Sequence, residues 1–461
     1  MKSSSQRAYG RWFVASGGLL VIILELLLPR PGTTHDETVA ATNLPSRPPA
    51  ESFQPRHRPP ARGASGVPEV TAEQIVAGKL DQFITNREAI MRGMAQRYHL
   101  EVAPDVERFF AAARAGRWEE ITNAFATLVQ RRKSGENCED LHTLWGPILE
   151  TFGVAESAHS WPAQRLLDYG NAVLGSLSPA MVYVGGTDPG RFIPTLLNET
   201  SDGEQHIILT QNALADNTYL QYVEYLHNNQ MSTLTSDESQ RAFQEYITAA
   251  QKRLEHDQQF PDEPKQLLSG EDIQVVDNRV QASGQVAVMG INEKLLQMIM
   301  DKNPDLNFAL EESFPLKSTY AQAAPLGPIM QLGVQDEQNT FTTARADQAV
   351  DYWRNTAEKL LSDPETPDGS DPRKAYAKMA ASQAGLLADH NFSSEAEQTY
   401  QLATQISPSS PEAVFQLVSL LVGQNRVADA LPVVQGALNA DPSNDQFRNL
   451  LQNLSRKQNG N

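Results

Sequence analysis

Cysteine is almost missing from this sequence, since Cys138 is the single one among 461 residues. This excludes an internal disulfide and every Cys-x-x-Cys redox or zinc motif. The nine histidines are scattered, without a His-Glu-x-x-His motif or a pair four residues apart, and no Gly-x-Ser-x-Gly elbow occurs. We therefore expect no metal, no cofactor and no catalytic residue, and the balance leans away from an enzyme.

Positive charge is also scarce outside the amino terminus. The chain has 38 Lys and Arg against 56 Asp and Glu, a formal net charge of −18. Within residues 1–62, one lysine and seven arginines face four acidic residues, so the remaining chain carries a net charge of about −22. A body this acidic repels phosphate, which argues against a nucleic-acid partner.

The longest apolar run lies near the start, "WFVASGGLLVIILELLL" at residues 12–28. As a helix it would extend about 25 Å, enough to cross a thin bilayer. The basic tail 1–11 before it predicts a cytoplasmic amino terminus. We expect a signal-anchor in the inner membrane, passing it once and exposing the body to the periplasm. A cleaved signal peptide is the alternative, although no small-x-small site follows the run promptly.

Residues 29–70 are rich in Pro and Arg without periodicity, which predicts a disordered linker. Residues 71–177 carry helical patterns and form the expected helical region. "TAEQIVAGKL" begins with Thr71 and Gln74 at capping-box spacing, and a turn at 115–117 divides two amphipathic stretches. The expected fold class is mainly α with a central α/β block.

The α/β block is expected at residues 178–340. Three short apolar runs, "MVYVGG", "HIILTQ" and "LNFALEES", alternate with helical patterns. Strand and helix alternation of this kind predicts a small parallel sheet with flanking helices. Ligands of such sheets bind beyond the carboxyl ends of the strands.

The first strand runs into "GGTDPGRF", which nearly spells a phosphate-binding loop. Arg191 stands where lysine belongs and Phe192 where serine or threonine belongs, and Pro189 has no N–H to offer an anion. ATP binding is therefore disfavoured. Two interpretations stay open, a structural turn from strand to helix and a site for another polar ligand.

Polar side chains gather at the predicted strand ends and form the candidate ligand-binding set. They are Thr187, Asp188, Arg191, Gln211, Asn212 and Glu311. Carboxylates and amides of this kind suit a glycan or a polyprenyl-sugar. Asp216 or Asn217 has the plainer role of capping the next helix.

The carboxyl-terminal region, residues 341–461, repeats itself with a period of 34 residues. Shifted by that length, Ala396 meets Ala430, Tyr400 meets Val434 and Ala403 meets Ala437. Small residues at the points where two helices approach, and a proline closing the second helix, resemble the tetratricopeptide repeat. That resemblance implies antiparallel helix pairs over residues 377–444 and a protein partner bound by the repeats.

The α/β block carries a second resemblance, through "MVYVGGTDPGRFIPTLLNE", "LTQNALADNTYLQYVEYL" and "SGQVAVMGIN". It is similar to a family of bacterial membrane-anchored proteins with tetratricopeptide repeats, and to the soluble carboxyl-terminal region of protein O-mannosyltransferase-like multi-pass proteins. The multi-pass region that would carry glycosyl transfer is absent from this sequence. The leading hypothesis is a membrane-anchored scaffold or adaptor that binds a protein. The alternative is an accessory or degenerate sugar-handling enzyme of envelope glycosylation.

Overall fold

The structure is a computed structural model that describes residues 70–135, 138–268, 271–276, 279–333 and 341–459. The predicted basic tail 1–11, the signal-anchor 12–28 and all but the last residue of the linker 29–70 lie outside these ranges. Among the described residues, every helix is too short or too polar to cross a bilayer.

Five helices follow the amino-terminal segment, in agreement with the predicted helical region. They are α1 (Ala72–Arg97), α2 (Pro104–Arg114), α3 (Trp118–Ser134), α4 (Glu139–Ser160) and α5 (Ala163–Leu174). The Thr71 hydroxyl accepts the Gln74 N–H at 3.3 Å, and the Gln74 side chain accepts the Thr71 N–H at 3.0 Å. The predicted capping box is thus confirmed. Gly116 turns the chain between α2 and α3 with φ of 64°, a conformation that favours glycine.

The described residues of the central block form seven short strands and five α-helices. In chain order they are β1 (Val182–Gly185), α6 (Asp188–Glu199), β2 (Ile208–Thr210), α7 (Asn217–His227), α8 (Ser236–Gln259), β3 (Asp272–Val276), β4 (Arg279–Ser283), α9 (Gly284–Lys302), β5 (Phe308–Glu311), α10 (Lys317–Tyr320), β6 (Ala324–Leu326) and β7 (Ile329–Leu332). Five strands form one sheet in the order β2-β1-β5-β7-β6, whereas β3 and β4 pair as a separate antiparallel hairpin. The three predicted strands are the parallel part, and β6 and β7 extend it antiparallel, so the sheet is mixed.

Helices cover both faces of this sheet. Tyr183 of β1 packs into a core shared with Ile193 of α6, while Val182 and Val184 pack on the opposite face with Leu295 of α9. The chain leaves β1 through α6 to reach β2 on one side, and later returns to β5 on the other side of β1. The carboxyl ends of β1 and β5 therefore border the crevice where such sheets bind ligands.

Six helices complete the described chain: α11 (Thr343–Ser362), α12 (Asp371–Asp389), α13 (Ser393–Ile406), α14 (Pro411–Gly423), α15 (Val427–Ala440) and α16 (Asp445–Asn459). The pairs α12/α13 and α14/α15 are the two predicted repeats. Ala396, Ala403 and Ala430 are fully buried, as expected where helices approach closely. The repeats also pack against the preceding helix, since α13 contacts α11.

The first repeat is bonded directly to the sheet. The Gln383 amide on α12 donates to the carbonyls of Gly327 at 2.6 Å and Ile329 at 2.7 Å, in the β6–β7 hairpin. Its side-chain oxygen accepts the indole N–H of Trp353 at 2.9 Å, from α11. All three bonds involve a fully buried side chain, so block and repeats share one continuous interior.

Candidate functional site

The strand-end loop after β1 surrounds a carboxylate of the chain itself. Oε2 of Glu311, the last residue of β5, accepts the N–H groups of Gly186 and Thr187, both at 2.8 Å. Oε1 accepts the Thr187 hydroxyl at 2.8 Å. The same hydroxyl oxygen caps α6 by accepting the Gly190 N–H at 3.0 Å. Glu311 thus occupies the place at a helix start where a phosphate would bind in a nucleotide site.

Two glycines of "GGTDPGRF" allow this loop to approach the end of β5 closely. A Cβ added to Gly190 would overlap the Glu311 carboxyl group, and one added to Gly186 would overlap the Ser313 N–H. Burial raises the pKa of Glu311, and the hydrogen bonds from Thr187 and Gly186 oppose that rise. The glycines therefore serve close contact between two strand ends.

The two amide candidates also bond to the backbone around this loop. Gln211 Oε1 accepts the Ser313 N–H at 2.7 Å, and its amide nitrogen donates to the Phe314 carbonyl at 3.3 Å. The Asn212 amide donates to the Gly186 carbonyl at 3.0 Å and accepts the Ser313 hydroxyl at 2.9 Å. These contacts tie β1, β2 and β5 together where the strands end.

The remaining two candidates pair with each other, Asp188 with 40% of its side chain exposed and Arg191 with 16%. Arg191 Nη2 is 2.9 Å from Asp188 Oδ1, one turn apart on α6, and the guanidinium lies over the Phe192 ring at 4.2 Å. Glu156 of α4 is nearby, where burial and the charges of Asp188 and Asp371 raise its pKa to about 7. The structure thus brings the six candidates together, but all six bond one another or neighbouring residues in place of a ligand. Asp216 is confirmed as the cap of α7.

A second cavity, which the sequence did not single out, opens between the end of β5 and the repeats. Its volume is about 420 Å³. It is lined from α12 by Lys378, Ser382 and Gly385, from α13 by Tyr400, from α14 by Glu412, Gln416 and Ser419, and from β5, α10 and the segment joining them by Glu312, Phe314, Lys317 and Tyr320. We call this cavity the groove. Pockets that bind small ligands have volumes of about 300–1,000 Å³.

The 34-residue period of the sequence already indicated one wall of the groove. Lys378 and Glu412 occupy equivalent positions in the first helices of the two repeats, as do Ser382 and Gln416. The first helices of stacked repeats share one face, so these positions had to line the same surface. The period alone could not reveal that the end of β5 closes the other side.

Glu312 is the most buried carboxyl group of the groove, with 3% of its surface exposed. Oε1 accepts the Tyr320 hydroxyl at 2.6 Å, and Oε2 accepts the Leu316 N–H at 3.3 Å. Ser382 also hydrogen-bonds the carboxyl group. Burial nevertheless raises the pKa of Glu312 to about 7, because these neutral donors only partly replace water.

Replacing Glu312 with glutamine should make stability less dependent on pH. In the wild type the unfolded carboxyl ionises first, so stability is lost as pH rises from about 4.5 to about 7. Between about pH 5 and pH 8 the Glu312→Gln variant should gain about 2–3 kcal/mol relative to the wild type. Urea unfolding at both pH values measures this difference. The exposed Glu358→Gln change is the control, and equal slopes for wild type and Glu312→Gln would contradict the expectation.

Metal binding finds no support in the described ranges, where no group of three or more His, Cys, Asp or Glu side chains could hold an ion.

The comparison with known families adds one finding. Residues 387–454 match the tetratricopeptide-repeat family, which confirms the repeats expected from the 34-residue period. No curated protein and no solved structure matches the chain. The similarity of the α/β block to O-mannosyltransferase-like proteins is therefore unsupported by these comparisons.

Proposed function

We propose that the chain is a scaffold that holds an extended segment of a protein partner in the groove. The observation that carries this is the cavity itself, which lies on the face that repeats of this kind offer to partners. The end of β5 and α10 form the facing wall, so a bound segment would contact both the repeats and the block.

The groove has the chemistry that peptide backbone requires. Gln416 and Ser419 on α14 are exposed, and their amide and hydroxyl groups can donate and accept hydrogen bonds. Phe314, Leu420 and the ring of Tyr400 supply apolar contact along the same cavity. A segment without fixed structure fits such a surface, since backbone groups and side chains can alternate between polar and apolar contacts.

A bulky side chain in the groove should block this binding. We expect Gln416→Trp to weaken capture of capped random octapeptide pools by the full chain at least about tenfold. Gln435→Trp on α15 is the matched control, because Gln435 is also exposed but does not line the groove. Fluorescence anisotropy measures both. If neither wild type nor control binds peptide, or if Gln416→Trp binds as they do, the proposal is wrong.

We also propose that residues 12–28 tether this scaffold to the inner membrane with the body on the periplasmic side. The support is the apolar run itself and the basic residues before it. Protease treatment of spheroplasts checks the side on which the body lies. The sugar-handling alternative has no comparable support, since the polar groups at the strand ends are largely bonded to one another.

A further inference from the structure

Among the described residues, one carboxyl group of the groove, that of Glu312, has no positively charged partner. Lys378 Nζ lies 3.2 Å from Glu412 Oε1, and Lys317 Nζ lies 3.4 Å from Asp389 Oδ1, so each lysine has its own carboxylate. The partners of Glu312 are a tyrosine hydroxyl, a serine hydroxyl and a backbone N–H. In the described part of the chain no Lys, Arg or His forms an ion pair with it.

A buried carboxyl group of this kind has no paired positive charge to stabilise its ionised form. Its ionised form lacks water on most sides, and neutral donors offset only part of the lost solvation. It can be relieved by taking up a proton or by receiving a positive charge from outside. Because Glu312 lines an open cavity, a positive group of a ligand can reach it without unfolding the protein.

We propose that Glu312 is the receptor for a lysine or arginine side chain carried by the extended partner segment. This inference rests on the proposed function and names the type of residue that the groove selects in the partner segment. The Tyr320 hydroxyl orients the carboxylate from one side. The exposed amides and hydroxyls of α14 bind the segment on either side of the basic residue.

An anionic ligand suits the groove less well. It would have to separate Lys378 from Glu412 or Lys317 from Asp389 before it gained a positive partner. It would also lie near Glu312 and, behind it, Glu311, whose own charge is balanced by N–H and O–H groups and by the charge of Lys378. In a partly desolvated site, repulsion between the anion and these carboxylates is unfavourable.

The proposal implies that binding releases a proton. The titratable groups that face Glu312 are Glu311 on β5, Lys317 and Tyr320 on α10, Lys378 on α12, Tyr400 on α13 and Glu412 on α14. Burial raises the pKa of Glu312 to about 7 and raises the pKa of both tyrosines above their usual value, so Glu312 changes its protonation near neutral pH and the tyrosines do not. Calorimetry in two buffers of different ionisation enthalpy should find release of about half a proton near pH 7.

The test uses the full chain and capped octapeptide pools that are random except at one central position. Pools with Lys or Arg there should bind at least about tenfold more tightly than pools with Leu or Glu. Glu312→Gln should abolish this preference, whereas Glu358→Gln on the exposed face of α11 should keep it. For the wild type alone, which needs no folding control, the preference should fall as pH is lowered below about 7, by up to about tenfold per unit.

The outcomes separate the inference from the function on which it rests. If all pools bind equally and Gln416→Trp blocks them, the groove binds peptides and the assignment of Glu312 is wrong. A basic preference that survives in Glu312→Gln overturns it too. If no pool binds, both proposals fail.

Discussion

Replacing Arg87 with methionine is expected to lower the free energy of unfolding by about 3–5 kcal/mol. The Arg87 side chain on α1 is 1% exposed, and its Nε lies 2.7 Å from Oε2 of Glu150 on α4. Its Nη2 pairs with Glu199, the last residue of α6. Burial by itself would lower the pKa of Arg87, but the charges of Glu150 and Glu199 raise it overall. Without the guanidinium, two partly buried carboxylates would lose their shared cation, and among the described residues Glu150 would keep only the hydrogen bond from the Tyr222 hydroxyl.

Chemical denaturation with the full chain measures this loss. Arg97→Met is the matched control, because Arg97 lies on the same helix, is exposed, and its guanidinium lies over the rings of Tyr98 and Tyr225. Its change should stay below about 1 kcal/mol. A similar small loss for Arg87→Met would mean that water already screens the pair of carboxylates, contrary to the burial described here.

The second large effect concerns the strand-end loop. Glu311→Ala removes the acceptor of three donors, namely the N–H groups of Gly186 and Thr187 and the Thr187 hydroxyl. Leaving them buried and unpaired should cost about 2–4 kcal/mol of stability. Glu311→Gln should cost less, because its amide oxygen can still accept the two N–H groups while its NH₂ faces the Thr187 oxygen.

A small anion should partly repair the alanine variant. The vacated space lies at the amino end of α6, where N–H groups and the helix dipole favour negative charge. Added acetate should raise the melting temperature of Glu311→Ala more than that of the wild type, as differential scanning fluorimetry can show. Chloride at equal ionic strength is the control. Equal responses to both salts would show that the loop does not need an anion at this point.

Much of the architecture was accessible from periodicity. The 34-residue repeat located two helix pairs, and three short apolar runs located the parallel strands. Strand β6 was missed for a physical reason: it is three residues long and contains Pro325, which has no N–H for a ladder. It tolerates this proline because it lies at the edge of the sheet, where one row of groups needs no partner strand.

For the candidate residues, the sequence predicted which side chains lie close together but not what they bond. Parallel strands end at one edge, so Asp188, Asn212 and Glu311 could be placed in one neighbourhood. Spacing does not tell whether a carboxylate faces solvent or turns back onto a loop, and Glu311 does the latter. For the same reason the sequence did not reveal Arg87, whose pattern is that of an ordinary charged residue on an amphipathic helix. It did not reveal Glu312 either, because the environment of Glu312 depends on helices far along the chain.

The bonds from Gln383 to the β6–β7 hairpin have a consequence for how the repeat array could change in length. They anchor its first helix to the sheet, so another repeat inserted ahead of α12 would separate the two walls of the groove. A repeat inserted between α15 and α16 would instead prolong the array at its distal end and leave the Glu312 wall intact. The proposed groove could thus lengthen in one direction only, with Glu312 kept as a fixed point of reference.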